Sequence, residues 1–525
     1  MNIAAVLRQR AQEMGGAPAI VETAQTVSFG ELDRIADGIA QQLSAAGIRP
    51  GDRVLVFCPM SVALYATLVG LWRIAGVAMF LDPSAGLDHI GRCCRLAEPR
   101  GFVAVAGAHA FRVASSAVRR IPIKLPVDRW VPGARRLRIA PLPVPHAAPA
   151  QNGVSDDAPA LITFTSGSTG QPKAAVRSHR FLLAQHRVLA EDLHLQRGQR
   201  DLAALPIFVL ANLASGVTSI IPDADLRRPG EILPARLLRQ IRNTRPTRVA
   251  ASPALLERLA SHVALHRETL DDFEEIYTGG APVFPRLLQR LQSVASQAAV
   301  VAVYGSTEAE PIARIAWSEV STDDLRAMES GAGLLVGAPV TAIALRIVPD
   351  RWGSPLPPYL PADFERDAVP HDHPGEIVVA GDHVLEGYMG GIGDTETKFR
   401  VGERVWHRTG DAGYLDSRGR LWLLGRCSAK VQDKHGLIYP FAVETAALAV
   451  PGIHRCALVH HNGKRVVVVE LDGVREDDAR RELAATLAWA HLDDVFVVDA
   501  LPLDKRHNAK IDYPALQKML KRRES

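Results

Sequence analysis

Nine consecutive residues, Thr165-Ser166-Gly167-Ser168-Thr169-Gly170-Gln171-Pro172-Lys173, could bind phosphate. The two glycines let the backbone turn so that its N–H groups face an anion. The hydroxyls of Thr165, Ser166, Ser168 and Thr169 can donate to phosphate oxygens, and Lys173 adds positive charge. The spacing excludes a Walker A loop, which needs four residues between its glycines and a Lys-Ser/Thr end. It also excludes a nucleophile elbow, because Ser166 stands where that turn requires glycine.

Further polar groups follow apolar runs. Tyr304-Gly305-Ser306-Thr307-Glu308 comes directly after Ala299–Val303, at the strand end where α/β folds place ligands. Gly279-Gly280-Ala281-Pro282 follows a similar run at 274–278. Three more short groups lie downstream: Thr409-Gly410-Asp411, Gly425-Arg426 and Asn508-Ala509-Lys510.

The elements that must position these groups alternate. Ser28 and Glu31 form a capping pair for a helix running to Leu43, and Arg53–Phe57 reads as a buried strand. A helix over 60–75 and a strand over 77–81 follow. The strand 160–164 leads into the nine-residue loop after a Pro- and Ala-rich stretch at 139–160. Helices are predicted over 179–191, 231–243, 253–266 and 284–296, with strands over 274–278 and 299–303 and a strand and helix within 202–220. The proline-rich stretch 349–374 reads as a surface loop or the entry to a β-rich part, and 375–426 as mainly strands. The pattern restarts after Arg426: strands 455–460 and 465–471 about an Asn462-Gly463 turn, helix 476–488, and strand 494–498. The fold class is therefore α/β. A large N-terminal domain of layered α/β subdomains with a β-rich subdomain spans 1–427, and a small mobile α+β domain spans 428–525.

The composition is that of a soluble globular chain: 525 residues, 47% hydrophobic, 22% charged, net charge +4. Acidic and basic residues read as interspersed, which argues against nucleic acid. The one basic cluster, Lys518, Lys521, Arg522 and Arg523, reads as cations complementing the end of a last helix. Cys58, Cys93, Cys94, Cys427 and Cys456 have no zinc-ligand spacing and fit reduced thiols in the cytoplasm. Arg73, Gly70 and Gly76 interrupt the most apolar stretch, so no transmembrane anchor is expected.

Taken in order, Thr165–Lys173, Tyr304–Glu308, Thr409–Asp411, Gly425-Arg426 and Asn508–Lys510 resemble the motifs of the adenylate-forming superfamily of acyl-CoA synthetases, adenylation domains and luciferases. The resemblance runs from about residue 10 to 520. It implies ATP and Mg²⁺ as cofactors and acyl-AMP as the first product. It places Thr165, Ser166, Gly167, Ser168, Thr169, Gly170 and Lys173 on the phosphates, Gly280 and Ala281 beside the adenine, and Tyr304, with Gly305 and Ser306, against it. It gives Thr307 to the α-phosphate, Glu308 to the metal, Asp411 to both ribose hydroxyls and Arg426 to the ribose. Lys510 bridges the carboxylate and the α-phosphate, where a fixed cation offsets two approaching anions.

Several positions depart from the family pattern. Ala174 replaces a common glycine. Phe208-Val209 replaces an aromatic–His pair lining the acid pocket, which favours an aliphatic acyl group, and the acidic residue that would hold an α-amino group is also missing near this turn. Ser428 stands at the hinge where Asp or Lys is usual, whereas Glu444 matches the pattern. Phe80–Leu87, Ile220–Asp223 and Arg506–Ile511 resemble the olefin-pathway β-lactone synthetases. The expected activity is AMP-forming activation of a fatty or other aliphatic acid, then transfer to coenzyme A or a carrier-protein thiol. The alternatives are cyclisation of a β-hydroxy acyl-AMP without a thiol, and an inactive nucleotide-binding scaffold.

Overall fold

The computed structural model describes residues 2–82, 85–141, 154–166, 171–504 and 510–523. The chain forms two compact units: Met1–Leu226 with Leu233–Ala250 and Gly387–Gly393, and Arg227–Ile232 with Ala251–Glu386 and Asp394–Ser525.

In the first unit a six-stranded sheet runs in the order Ile123–Pro126, Gly101–Ala104, Arg53–Phe57, Val77–Phe80, Pro159–Ser166, Pro172–Ser178. The first five strands are parallel, and the sixth closes the edge as a hairpin with the fifth. Parallel strands are covered on both faces, hence their near-continuous apolar runs. Leu55, Met79, Phe102 and Ile162 share one core.

The helix Phe29–Ala45 carries the expected capping box: Glu31 N donates to Ser28 Oγ (3.2 Å) and Ser28 N to Glu31 Oε2 (2.9 Å). It packs closely on helix Val62–Arg73, where a Cβ on Gly70 would stand 2.8 Å from Ile39 Cγ2. Buried Arg73 is matched by Asp33 and Asp37, since a buried guanidinium needs its counter-charge. Trp72 Nε1 donates to the Ala160 carbonyl at 2.9 Å, tying this helix to the strand that enters the nine-residue loop. A second sheet of this unit orders Thr26–Ser28, Pro18–Val21, Thr218–Ile220 and Arg200–Ala203.

In the second unit, Glu275–Gly279 pairs parallel with Ala299–Ser306. The sheet continues antiparallel through Ala309–Ala316, Leu334–Pro339, Leu421–Arg426, Arg404–Leu415, Gly375–Ala380 and Ala344–Val348. The strands between 309 and 348 had no clear sequence signal. Ala309–Ala316 contains three alanines and a proline, poor strand formers that hold this conformation because both flanking strands pair with them.

Within 428–525, strands Ile453–His461, Lys464–Leu471 and Asp494–Val498 form a sheet of their own. Asn462 and Gly463, with φ of +49° and +75°, make its hairpin turn. The strands alternate between two cores. Leu458 and Val467 join Val443 and Leu483 on one side, and Val459 and Val466 join Leu516 and Leu520 on the other. Helix Pro440–Ala449 was absent from the sequence reading because it is apolar nearly all round, which hides the helical period.

Candidate active site

In the first unit the nine-residue loop sits at the tip of the edge hairpin, with Thr165 opposite Lys173 and Ser166 opposite Pro172. Gly167, Ser168, Thr169 and Gly170 lie outside the described residues. Lys173 is buried, its Nζ 5.6 Å from the centre of the Tyr388 ring, a cation–π distance. Gly393 leaves room for it, since a Cβ there would fall 2.5 Å from Lys173 Cε.

Phe208 and Val209 occupy helix Pro206–Ser215, begun by Pro206 at its first turn and ended by Gly216 in the left-handed region. Both are buried. Ile207, Leu210 and Ala211 of the same helix line a small cavity with Leu182 and His186.

The second unit gathers the remaining groups. Strand Glu275–Gly279 ends where Gly279 touches strand Ala299–Ser306, and a Cβ on Gly279 would stand 2.6 Å from Val303 O. Gly280 then turns at φ +82° and leads to Ala281. After Tyr304 and Gly305, Ser306 Oγ accepts from the N–H groups of Glu308 (3.2 Å) and Ala309 (3.3 Å), fixing the turn that presents Thr307 and Glu308. Leu385 N donates to Glu308 O at 2.7 Å.

Tyr304 Oη donates to Asp411 Oδ2 at 2.7 Å, and Arg426 Nε lies 3.2 Å from Asp411 Oδ1. Arg426 Nη1 also donates to Thr409 O at 3.0 Å. Thr409 Oγ1 accepts from Asp411 N at 3.0 Å and donates to Ile377 O at 2.9 Å. Burial, and then the Asp411 carboxylate, push the Tyr304 phenol well above its ordinary range. The carboxylate is thus held between a neutral donor and a half-exposed guanidinium.

Lys510 belongs to this cluster electrostatically. Burial and the Arg426 charge lower its pKa, while Asp411, Asp504 and Glu308 oppose the shift. Its carbonyl accepts from Asp504 N at 2.8 Å. Asn508 and Ala509 of the same motif, and Arg506 and His507 beside them, lie outside the described residues.

Ser428 is exposed in a single 3₁₀ turn, Cys427–Ala429. The sequence offered no sign of what anchors its neighbours: Lys430 Nζ lies 2.8 Å from Asp350 Oδ2, and Tyr439 Oη donates to the same oxygen at 2.9 Å. Burial opposes ionisation of Asp350, but the bonds from Lys430, the Trp352 N–H and Tyr439 hold its pKa below the usual value.

Two further residues escaped the sequence reading. Lys398, buried, donates to the Leu385 carbonyl and lies 3.1 Å from His407 Nδ1. Leu385 in turn supports the Glu308 backbone, so this pair braces the Glu308 turn. No short motif marks them, because their role depends on pairing between strands Lys398–Val401 and Arg404–Leu415.

Residues 7–389 match the family model described as AMP-binding enzyme. The chain is 32% identical to an olefin beta-lactone synthetase of Stenotrophomonas maltophilia (strain K279a), covering 93% of this chain and 90% of the relative. It is 28% identical to a feruloyl-CoA synthase of an Amycolatopsis species, covering 89% of each. The amide bond synthetase McbA from Marinactinospora thermotolerans superposes with a TM-score of 0.80 over 99% of both chains at 22% identity, a likeness of fold.

Proposed function

The chain belongs to the AMP-binding enzyme family, and from that premise we propose that this AMP-forming ligase activates an aliphatic β-hydroxy acid and lets the substrate's own hydroxyl displace AMP. The observation that carries the adenylation chemistry is the Tyr304–Asp411–Arg426 cluster with Lys510 in its electrostatic field.

In the first step a carboxylate oxygen of the acid attacks the α-phosphorus of ATP. The bond to the bridging oxygen breaks, and pyrophosphate leaves with that electron pair. Asp411 accepts the ribose hydroxyls and Arg426 steadies it. The Lys510 ammonium lies between the carboxylate and the α-phosphate, where it is worth most as charge builds up in a water-poor site. The loop Thr165–Lys173 supplies phosphate donors, Thr307 a donor to the α-phosphate, and Gly280-Ala281 with Tyr304 the adenine wall. Mg²⁺ needs few protein carboxylates when phosphates and waters complete its shell, so Glu308 alone fits as its ligand. Among the described residues no cluster of three or more metal-ligating side chains gathers. When bound, the ion neutralises phosphate charge.

In the second step the β-hydroxyl oxygen attacks the acyl carbon. The acyl–phosphate bond breaks, AMP leaves and the hydroxyl proton passes to solvent. Phe208 and Val209 contribute an apolar lining for the acyl chain, and Ser428 is the hinge about which a domain of residues 428–525 turns against 1–427. Support for cyclisation comes from the 32% identity with a β-lactone synthetase over nine-tenths of both chains. Transfer to coenzyme A or a carrier thiol is the second reading, supported by the feruloyl-CoA synthase likeness. A cytoplasmic setting fits either reading. Among the described residues no helix is long and apolar enough to cross a membrane.

The test is AMP release from ATP with fatty, β-hydroxy and aryl acids, with and without coenzyme A. Cyclisation predicts thiol-independent turnover of β-hydroxy acids alone. Release that depends on coenzyme A would establish the second reading, and no acid-dependent AMP from any of them would overturn both.

A further inference from the structure

One segment of this chain is strongly basic. Residues 108–141 hold eight Lys/Arg (Arg112, Arg119, Arg120, Lys124, Arg129, Arg135, Arg136, Arg138) against a single acid, Asp128. The whole chain carries only +4, so everything outside this segment is net negative. The even interspersion read from the full sequence therefore fails over this stretch.

Several arginines elsewhere on the surface are paired with carboxylates, as in Arg351–Asp367, Arg480–Glu476 and Arg481–Asp478. Among the described residues none of the eight cations of 108–141 forms an ion pair. Asp128 is occupied differently, its Oδ1 accepting from Ala106 N at 2.7 Å. Six of the arginines are exposed, namely 119, 120, 129, 135, 136 and 138. Unpaired like charges repel one another, which disfavours the fold unless an anionic surface is there to meet them.

The segment is also built as one face. Arg112 Nη1 donates to Pro132 O at 3.1 Å, joining the helical turns 111–120 to the loop 129–135, and Arg119 Nη2 donates to Val113 O at 3.1 Å within those turns. Gln42 and Arg138 exchange two hydrogen bonds, of 3.1 and 2.8 Å, that fasten its far end. Two large apolar side chains stand out from it: Val113 is 81% exposed and Trp130, next to Arg129, is 69% exposed.

We propose that this face docks on an anionic phospholipid surface, with Trp130 and Val113 entering the headgroup layer and the arginines meeting lipid phosphates. Exposed apolar side chains ringed by unpaired cations suit an interface that is apolar on one side and negatively charged on the other. A nucleic acid would satisfy the cations but not Val113. The inference is independent of which acid the enzyme activates.

The experiment is co-sedimentation of the full chain with vesicles of phosphatidylcholine alone or mixed equally with phosphatidylglycerol, at low and high salt. Binding should require phosphatidylglycerol and weaken at high salt. Arg135→Gln/Arg136→Gln and Trp130→Ser should each reduce bound protein at least severalfold while acid-dependent ATP–pyrophosphate exchange in solution stays unchanged. Equal binding to both vesicles, binding to neither, or capture by heparin or duplex DNA without vesicle binding would overturn the proposal. So would wild-type binding by both variants.

Discussion

Asp411 and Arg426 are register partners on adjacent antiparallel strands, and Arg426 Nε stands 3.2 Å from the carboxylate oxygen that Tyr304 does not use. The backbone pairing brings the two residues side by side, and the contacts from Arg426 and Tyr304 hold the carboxylate between them. Asp411→Asn keeps the shape and removes the charge. Because hydrogen bonds to charged groups contribute about 1.5–3 kcal/mol, ATP affinity should fall by about tenfold to a hundredfold, measured by calorimetric titration. Tyr304→Phe should cost only about 1 kcal/mol.

Lys510→Ala should abolish acid-dependent ATP–pyrophosphate exchange and leave ATP binding nearly intact. Full exchange activity in that variant would remove Lys510 from the chemistry. The pH dependence has a definite sign. Burial lowers the Lys510 pKa, so the ammonium is complete below that value and lost as pH rises through it. The alkaline fall in exchange rate should therefore begin below the ordinary lysine range. Lys510→Arg, slower but always charged, should lack that limb.

Glu444 offers a test of stability. It is buried, and its Oε1 accepts from Leu458 N (3.0 Å) and Tyr513 Oη (2.6 Å). Burial raises its carboxyl to about 7, against which those two bonds pull only partly. A carboxyl raised on folding stabilises fully below its unfolded pKa, and the benefit is lost as pH rises through the folded value. The protein should lose up to about 3 kcal/mol between pH near 4.5 and pH above 7 from this group. Glu444→Gln, which keeps an accepting oxygen, should flatten that loss in thermal melts. An unchanged pH profile would show that Glu444 is not its source.

Arg408 and Glu376 form a fully buried fork, with Arg408 Nε 3.0 Å from Oε1 and Nη2 2.5 Å from Oε2. The fork lies immediately before Thr409–Asp411. Arg408→Leu leaves a buried carboxylate uncompensated and should cost about 3–5 kcal/mol in denaturant unfolding. Arg408→Leu/Glu376→Leu together should cost less than the single change, because no orphaned charge remains. Equal costs would mean the loss comes from packing instead.

Much of the fold was legible because local rules governed it. Ser28 and Glu31 cap their helix within one turn, and Asn462-Gly463 makes a turn that few other residue pairs permit. Arg53–Phe57, Val62–Arg73 and Ala299–Ser306 follow apolar runs or periods that need no partner to be seen, whereas Leu87–Ala97, Gly101–Ala104 and Ile123–Pro126 were not read. Helix Pro440–Ala449 and the strands between 309 and 348 were invisible for the opposite reason. One is buried on every side and the others are held by their neighbours, so neither carries a period of its own.

By itself the sequence determined the chemical inventory: a glycine- and hydroxyl-rich loop with Lys173, the Tyr304–Glu308 turn, Asp411, Arg426 and Lys510, in the order shared by adenylate-forming enzymes. Those are properties of short segments, and short segments are written in residue type. Only the tertiary structure decided that Arg426 holds Asp411, that Lys398 and His407 brace the Glu308 turn, and that Asp350 anchors Lys430 and Tyr439. Each of these joins residues distant in sequence through strand register and burial. A linear reading cannot supply that, because electrostatics and hydrogen bonding depend on distance in space rather than distance along the chain.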